Sequence, residues 1–105
     1  MSVLEIATFT IKSEEVEEFA NNAQGAVKII SDDAGCRALE LIQGIKEPDT
    51  FLIVIEWDSV GAHEAFRATE QFQEFVTAIR GYFAGPPSSL DYERRIVLKE
   101  SVSQR

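Results

Sequence analysis

Residues 50–75 read TFLIVIEWDSVGAHEAFRATEQFQEF, and the change of period inside this stretch decides the fold class. Phe51, Ile53, Ile55 and Trp57 alternate with Leu52 and Val54, which is the period of a strand, here apolar on both faces in its middle. At Ser59 the period switches. A serine ahead of an apolar run is a helix N-cap, and from Ala62 the apolar positions Ala65, Phe66, Thr69, Phe72, Phe75, Val76, Ile79 and Phe83 follow by threes and fours, with a break expected near Thr69 and Glu70. The loop GPPSS at 85–89 stops this helical stretch.

Upstream, KEPD at 46–49 is a turn that joins a strand at 36–45 to the strand at 50–57, so the two form a hairpin. VLEIATFTI at 3–11 is a first strand, with Leu4, Ile6, Thr8 and Thr10 on one side and Val3, Ala7, Phe9 and Ile11 on the other. Ser13 then reads as an N-cap, with Glu14, Glu15, Glu17 and Glu18 at the positive end of the helix dipole. The apolar stripe of that helix is Val16, Phe19, Ala20, Ala23, Val27 and Ile30, and Asp32, Asp33 and Gly35 end it. Downstream, Leu90, Tyr92, Ile96 and Leu98 predict a last strand over 90–98, followed by a frayed tail at 99–105. The order is βαββαβ, an α+β domain spanning 1–98.

Two amphipathic helices cover one face of a four-stranded sheet, yet the first and third strands are apolar on both faces. The second face therefore needs its own cover, and a second copy of the chain supplies it, which predicts a homodimer with sheets packed face to face. The chain has 105 residues, one domain's worth, and a domain this small gains from burying area against a partner.

Composition excludes several function classes. Hydrophobic residues make up 45% and charged residues 27%, as in ordinary globular proteins, and the net charge of −8 repels phosphate backbones and anionic membranes. FLIVI at 51–55 is the longest apolar run, far short of the ~20 residues of a membrane span. Residues 1–10 carry no basic leader, so a cytosolic location is expected. One cysteine, Cys36, and one histidine, His63, leave no internal disulfide and no zinc or iron–sulfur ligand set, so no metal is expected. The same counts exclude a metal chaperone, and FLIVIEW lacks the basic and aromatic pattern of an RNA-recognition motif.

EWDSVGAHEAFRATEQFQEF at 56–75, preceded by DAGCRALEL at 33–41 and EPDTFLIVIEW at 47–57, resembles the antibiotic biosynthesis monooxygenase family. The resemblance covers nearly the whole folded chain. It implies a dimeric α+β barrel of two ferredoxin-like subunits, each with a small-molecule cavity between its sheet and helices. It also implies oxidation of quinols or anthrones without metal or flavin. A phenol reduces O₂ usefully once it has lost its proton, so such a site needs an apolar pocket, a proton acceptor and shelter from water.

The pocket implied by the resemblance is lined by Ile6, Thr8, Leu39, Trp57, Phe66, Phe72 and Val76, with His63 as the catalytic residue. Two positions depart from the family pattern. Many relatives carry a histidine where Phe66 stands and a tyrosine where Leu39 stands, and His63 lies three residues ahead of Phe66 on the same helix face. Ile6, Phe66 and Val76 occupy the positions that serve haem in the haem-degrading branch, and none of them ligates iron. Two expectations follow: a cofactor-independent monooxygenase acting on a small electron-rich aromatic, or a dimeric binding or sensing module that keeps the barrel without the reaction.

Overall fold

Strand β2 (Cys36–Gln43) and strand β3 (Thr50–Trp57) form the expected antiparallel hairpin, with Gln43 opposite Phe51. Gly44 makes the reversal possible, because a Cβ there would stand 2.5 Å from the Glu47 carbonyl oxygen. Strand β1 (Val3–Thr10) pairs with β3 on one side and with β4 (Ser88–Tyr92) on the other, so the antiparallel sheet runs β2-β3-β1-β4. Helix α1 (Val16–Ser31) joins β1 to β2, and helices α2 (Val60–Arg67) and α3 (Glu70–Ile79) join β3 to β4. This is the ferredoxin-like α+β fold. The computed structural model describes residues 2–100.

Two local expectations meet corrections, Ser13 and the end of the last strand. Ser13 does not cap α1; it opens a 3-10 turn, Ser13–Glu15, in which the Glu15 N–H donates to Lys12 O at 2.8 Å. The second helical stretch breaks at Thr69, where a break was expected, and is two helices. Thr69 accepts from the Phe72 N–H at 3.2 Å and caps α3, and its own hydroxyl donates to Phe66 O at 2.6 Å. Ser59 caps α2 as expected, accepting from the Ala62 N–H at 3.0 Å.

The last strand ends at Tyr92 rather than Leu98 because Tyr92 already lies opposite Leu4, and two residues further the chain passes the end of its only neighbour. Arg94 instead turns its guanidinium to Glu56 Oε2 and Ser2 Oγ, each at 3.3 Å. Of the tail expected at 99–105, residues 101–105 lie outside the described part.

Strand register sorts the side chains. Pairs directly opposite share a face, so Val3, Glu5, Ala7 and Phe9 lie with Trp57, Ile55, Ile53 and Phe51 beneath the helices. Phe19, Ala23, Ala26 and Ile30 of α1 and Phe66, Phe75 and Ile79 of α2 and α3 complete that core. Phe19 meets Phe9, Phe51 and Tyr82 edge-on, with ring centroids 4.8–5.9 Å apart.

The opposite face carries Leu4, Ile6, Thr8, Leu52, Val54, Ile42, Leu90 and Tyr92, and no helix of the described residues covers it. Leu90 is 61% exposed, Tyr92 46% and Ile42 42%, so the apolar second face read from the strands is bare in the single chain.

Candidate functional site

Glu5 is the residue around which the site is built. It falls in phase with Val3, Ala7 and Phe9, which turns a carboxylate into the core beneath the helices, where only 8% of the residue is exposed. Burying an ionised carboxylate is costly unless donors replace the lost water. Two do: the Trp57 indole N–H donates to Oε1 at 2.9 Å and the Ser89 hydroxyl donates to Oε2. His63 Nε2 lies 3.1 Å from Oε1, as donor or acceptor according to its tautomer.

His63 sits in the first turns of α2, held by the Ser59 cap, and is 6% exposed. Its other ring nitrogen, Nδ1, faces Asp91 Oδ1 at 2.9 Å. Asp91 lies opposite Glu5 in the β1–β4 register, so β4 supplies both Asp91 and Ser89 from one face of five residues. The imidazole thus lies between two carboxylates, with its ring flat against the Trp57 indole at 5.3 Å and 8°. Every oxygen of Glu5 has a donor, and the two carboxylates face different nitrogens of the one ring. Glu5, His63 and Asp91 are of the types that hold a cation, and their ligating atoms lie within 4.8 Å of one another. In-line contacts from the two sides of one ring suit shared protons better than one metal ion.

A cavity of about 360 Å³ opens beside this cluster, between α3 and the β1–β4 pair. Ala7, Phe9, Phe72, Phe75, Val76, Ile79 and Phe83 form its walls, Glu5, His63 and Ser89 its polar part, and the exposed Arg67, Pro87 and Ser88 its rim. Its size falls within the range of small-molecule sites. A smaller hollow adjoins it under Trp57 and Phe66 and shares Glu5, His63 and Phe72 with it.

Of the residues expected in the pocket, His63, Phe72 and Val76 line the main cavity, and Trp57 and Phe66 line the adjoining hollow. Ile6 and Thr8 do not. Ile6 stands opposite Val54 and Leu90, and Thr8 opposite Leu52 and Ser88, all on the uncovered face, because side chains one residue away from Glu5 and Ala7 point through the sheet. Leu39 lies on the helix side, packed against the core, but lines neither hollow. The Trp57 N–H finds a carboxylate where a backbone acceptor would serve a purely structural tryptophan.

Glu5, Asp91 and Ser89 were not among the expected residues. The signal for Glu5 was present: an acid in the phase of Val3, Ala7 and Phe9 on a strand that is otherwise apolar on that side. Asp91 and Ser89 carried none, since only the β1–β4 register brings them to His63 and Glu5.

Residues 2–78 match the family model for antibiotic biosynthesis monooxygenase. YczJ, an uncharacterized protein of Bacillus subtilis (strain 168), is 28% identical over 87 residues, which cover 82% of this chain and 92% of YczJ. Among solved structures, a variant of SnoaB, a cofactor-independent oxygenase from Streptomyces nogalater, superposes with a TM-score of 0.81 at 17% identity, over 94% of this chain and 98% of that one. A conserved protein from Methanosarcina mazei Go1 superposes with a TM-score of 0.80 at 18% identity, over 90% of this chain and 94% of that one. At such identities the two structures attest the fold.

Proposed function

The chain belongs to the antibiotic biosynthesis monooxygenase family, and on that premise we propose that it is a cofactor-independent monooxygenase acting on a small electron-rich aromatic of quinol or anthrone type. The observation that carries this reading is the buried Glu5–His63 pair at the wall of an apolar cavity, with the exposed Asp91 behind it. A carboxylate offers about four lone-pair directions. Trp57 and Ser89 use two on Glu5 and His63 stands against a third, which leaves one for a hydroxyl bound in the cavity.

In this proposal the aromatic lies among Phe72, Phe75 and Val76 with its hydroxyl on Glu5. The proton passes to Glu5 and on to His63 Nε2 while Nδ1 gives up its own proton to Asp91, whose side chain is 29% exposed and returns it to water. The phenolate left behind gives an electron to O₂, and the radical pair combines in a site that the phenylalanine walls keep dry. A C–O bond forms and the O–O bond breaks. One oxygen atom stays on the substrate and the other leaves as water, with all four electrons drawn from the substrate, so the chemistry closes without a flavin or metal. His63 is the catalytic relay, Glu5 the group that touches the substrate hydroxyl, and Trp57 the residue that holds both in place.

The uncovered sheet face supports a homodimer joined through the sheets as part of the same proposal. No helix of the described residues is long and apolar enough to cross a membrane. We place the protein in the cytosol, where its lone Cys36 needs no oxidising partner.

A second reading is a binding or sensing module. Phe66 and Leu39 favour it, since both are packed against the core where relatives carry polar groups. Oxygen uptake with a panel of quinols and anthrones separates the two. Consumption above the uncatalysed rate is expected; tight binding with no consumption supports the module instead.

A further inference from the structure

We infer that the ligand of this cavity is a hydroxyaromatic acid whose carboxylate is held by Arg67 at the rim, an inference that rests on the monooxygenase reading of the same cavity. Arg67 is the one Lys or Arg among the described residues that lines the cavity, and it also borders the adjoining hollow. Lys12, Lys28, Arg37, Arg94 and Arg95 each stand within ion-pair distance of an acid, whereas Arg67, like Lys46, Arg80 and Lys99, has no such partner among the described residues, and of these four it alone lines the cavity. What it does meet is the Phe72 ring, with the guanidinium carbon 5.9 Å from the centroid. A guanidinium over a cavity-wall ring keeps its charge and its donors at the mouth, and its fork matches a carboxylate bidentately.

The two ends of the cavity fix the direction in which such a molecule enters. Glu5 places a carboxylate at the buried end, which repels a second carboxylate and accepts a hydroxyl; Arg67 places positive charge at the exposed rim. In a chain of net charge −8, a lone cation at the mouth of an apolar cavity is a selective feature against the prevailing field. His63 and Arg67 are four residues apart on α2, hence on one helix face. The acid group of the ligand therefore lies at the rim and its reacting hydroxyl on Glu5, within one cavity.

A matched pair of probes tests this. Binding of 1,4-dihydroxynaphthalene-2-carboxylate and of naphthalene-1,4-diol is measured by calorimetry without oxygen, alongside oxygen uptake in air. The acid is expected to bind at least about tenfold tighter than the diol, as one charge-assisted bidentate contact provides. Arg67→Gln brings the acid down to the affinity of the diol, and Arg67→Lys retains part of the preference. Equal binding of the two probes to the unaltered protein, or a preference that survives Arg67→Gln, overturns the inference while consumption of the diol keeps the monooxygenase reading. If neither probe binds nor drives oxygen uptake, that reading falls and takes this inference with it.

Discussion

The indole of Trp57 lies parallel to the imidazole of His63, 5.3 Å away, while its N–H donates to the same Glu5 oxygen that His63 faces. One aromatic side chain at the end of β3 thus orients both partners of a buried acid–histidine contact. Residues 52 positions apart in the chain, Glu5 and Trp57, are brought together by the β1–β3 register.

Trp57→Phe separates the two roles of this residue. Phenylalanine keeps a flat ring against His63 but leaves Glu5 Oε1 short of one donor. A buried acceptor that loses its donor costs about 1–3 kcal/mol, and for a domain of this size each kcal/mol lowers the melting temperature by roughly 4–8 °C. Thermal unfolding followed by circular dichroism measures the drop; an unchanged melting temperature argues that the indole N–H contributes nothing.

His63→Gln preserves a polar side chain of similar reach but cannot carry a proton between Glu5 and Asp91. Loss of a positioned proton carrier typically costs about 10²–10⁴-fold, so oxygen uptake with an accepted quinol should fall by at least about 10²-fold while the far-ultraviolet spectrum stays folded. Retained turnover assigns the reaction to groups other than this line.

Ile6 marks the middle of the uncovered face, between Val54 and Leu90. In a dimer joined through the sheets, Ile6→Glu buries an unpaired charge at the centre of the interface, a change of several kcal/mol. Sedimentation equilibrium should give a dimer for the unaltered chain and a monomer for the variant. A monomer for both removes the sheet-to-sheet assembly from the proposal.

Cys36 should label slowly with a thiol reagent. Burial at the start of β2 pushes its thiol above the ordinary value, a backbone hydrogen bond at Ala38 opposes the rise, and the nearby Asp33 carboxylate adds to it. A raised value in the folded chain means that the neutral thiol is preferred there. The corresponding stabilisation is whole below the unfolded value of about 8.5 and is lost as the pH rises through the folded value. The labelling rate at pH 8 should therefore lie below that of a free cysteine and approach it only in alkali; an equal rate at pH 8 contradicts the burial.

The hairpin at 36–57, the Ser59 cap and the apolar stripes of the helices were legible because each depends on neighbours a few residues away. The end of β4 was not. Ile96 and Leu98 keep the strand period, yet β1 has no residues left for them to pair with. Ser13 carries the chemistry of a cap and yields to a 3-10 turn that brings the chain back from β1.

Local period, capping chemistry and composition determined the α+β class, the order of the elements and an apolar sheet with a second face to hide. Only the tertiary structure decided which alternate set of β1 side chains meets the helices, and with it that Glu5 enters the cavity wall while Ile6 and Thr8 face away. The reason is that a buried carboxylate is tolerable only where donors converge on it. The donors here come from β3, α2 and β4, segments whose meeting is set by strand register and helix packing across the whole domain.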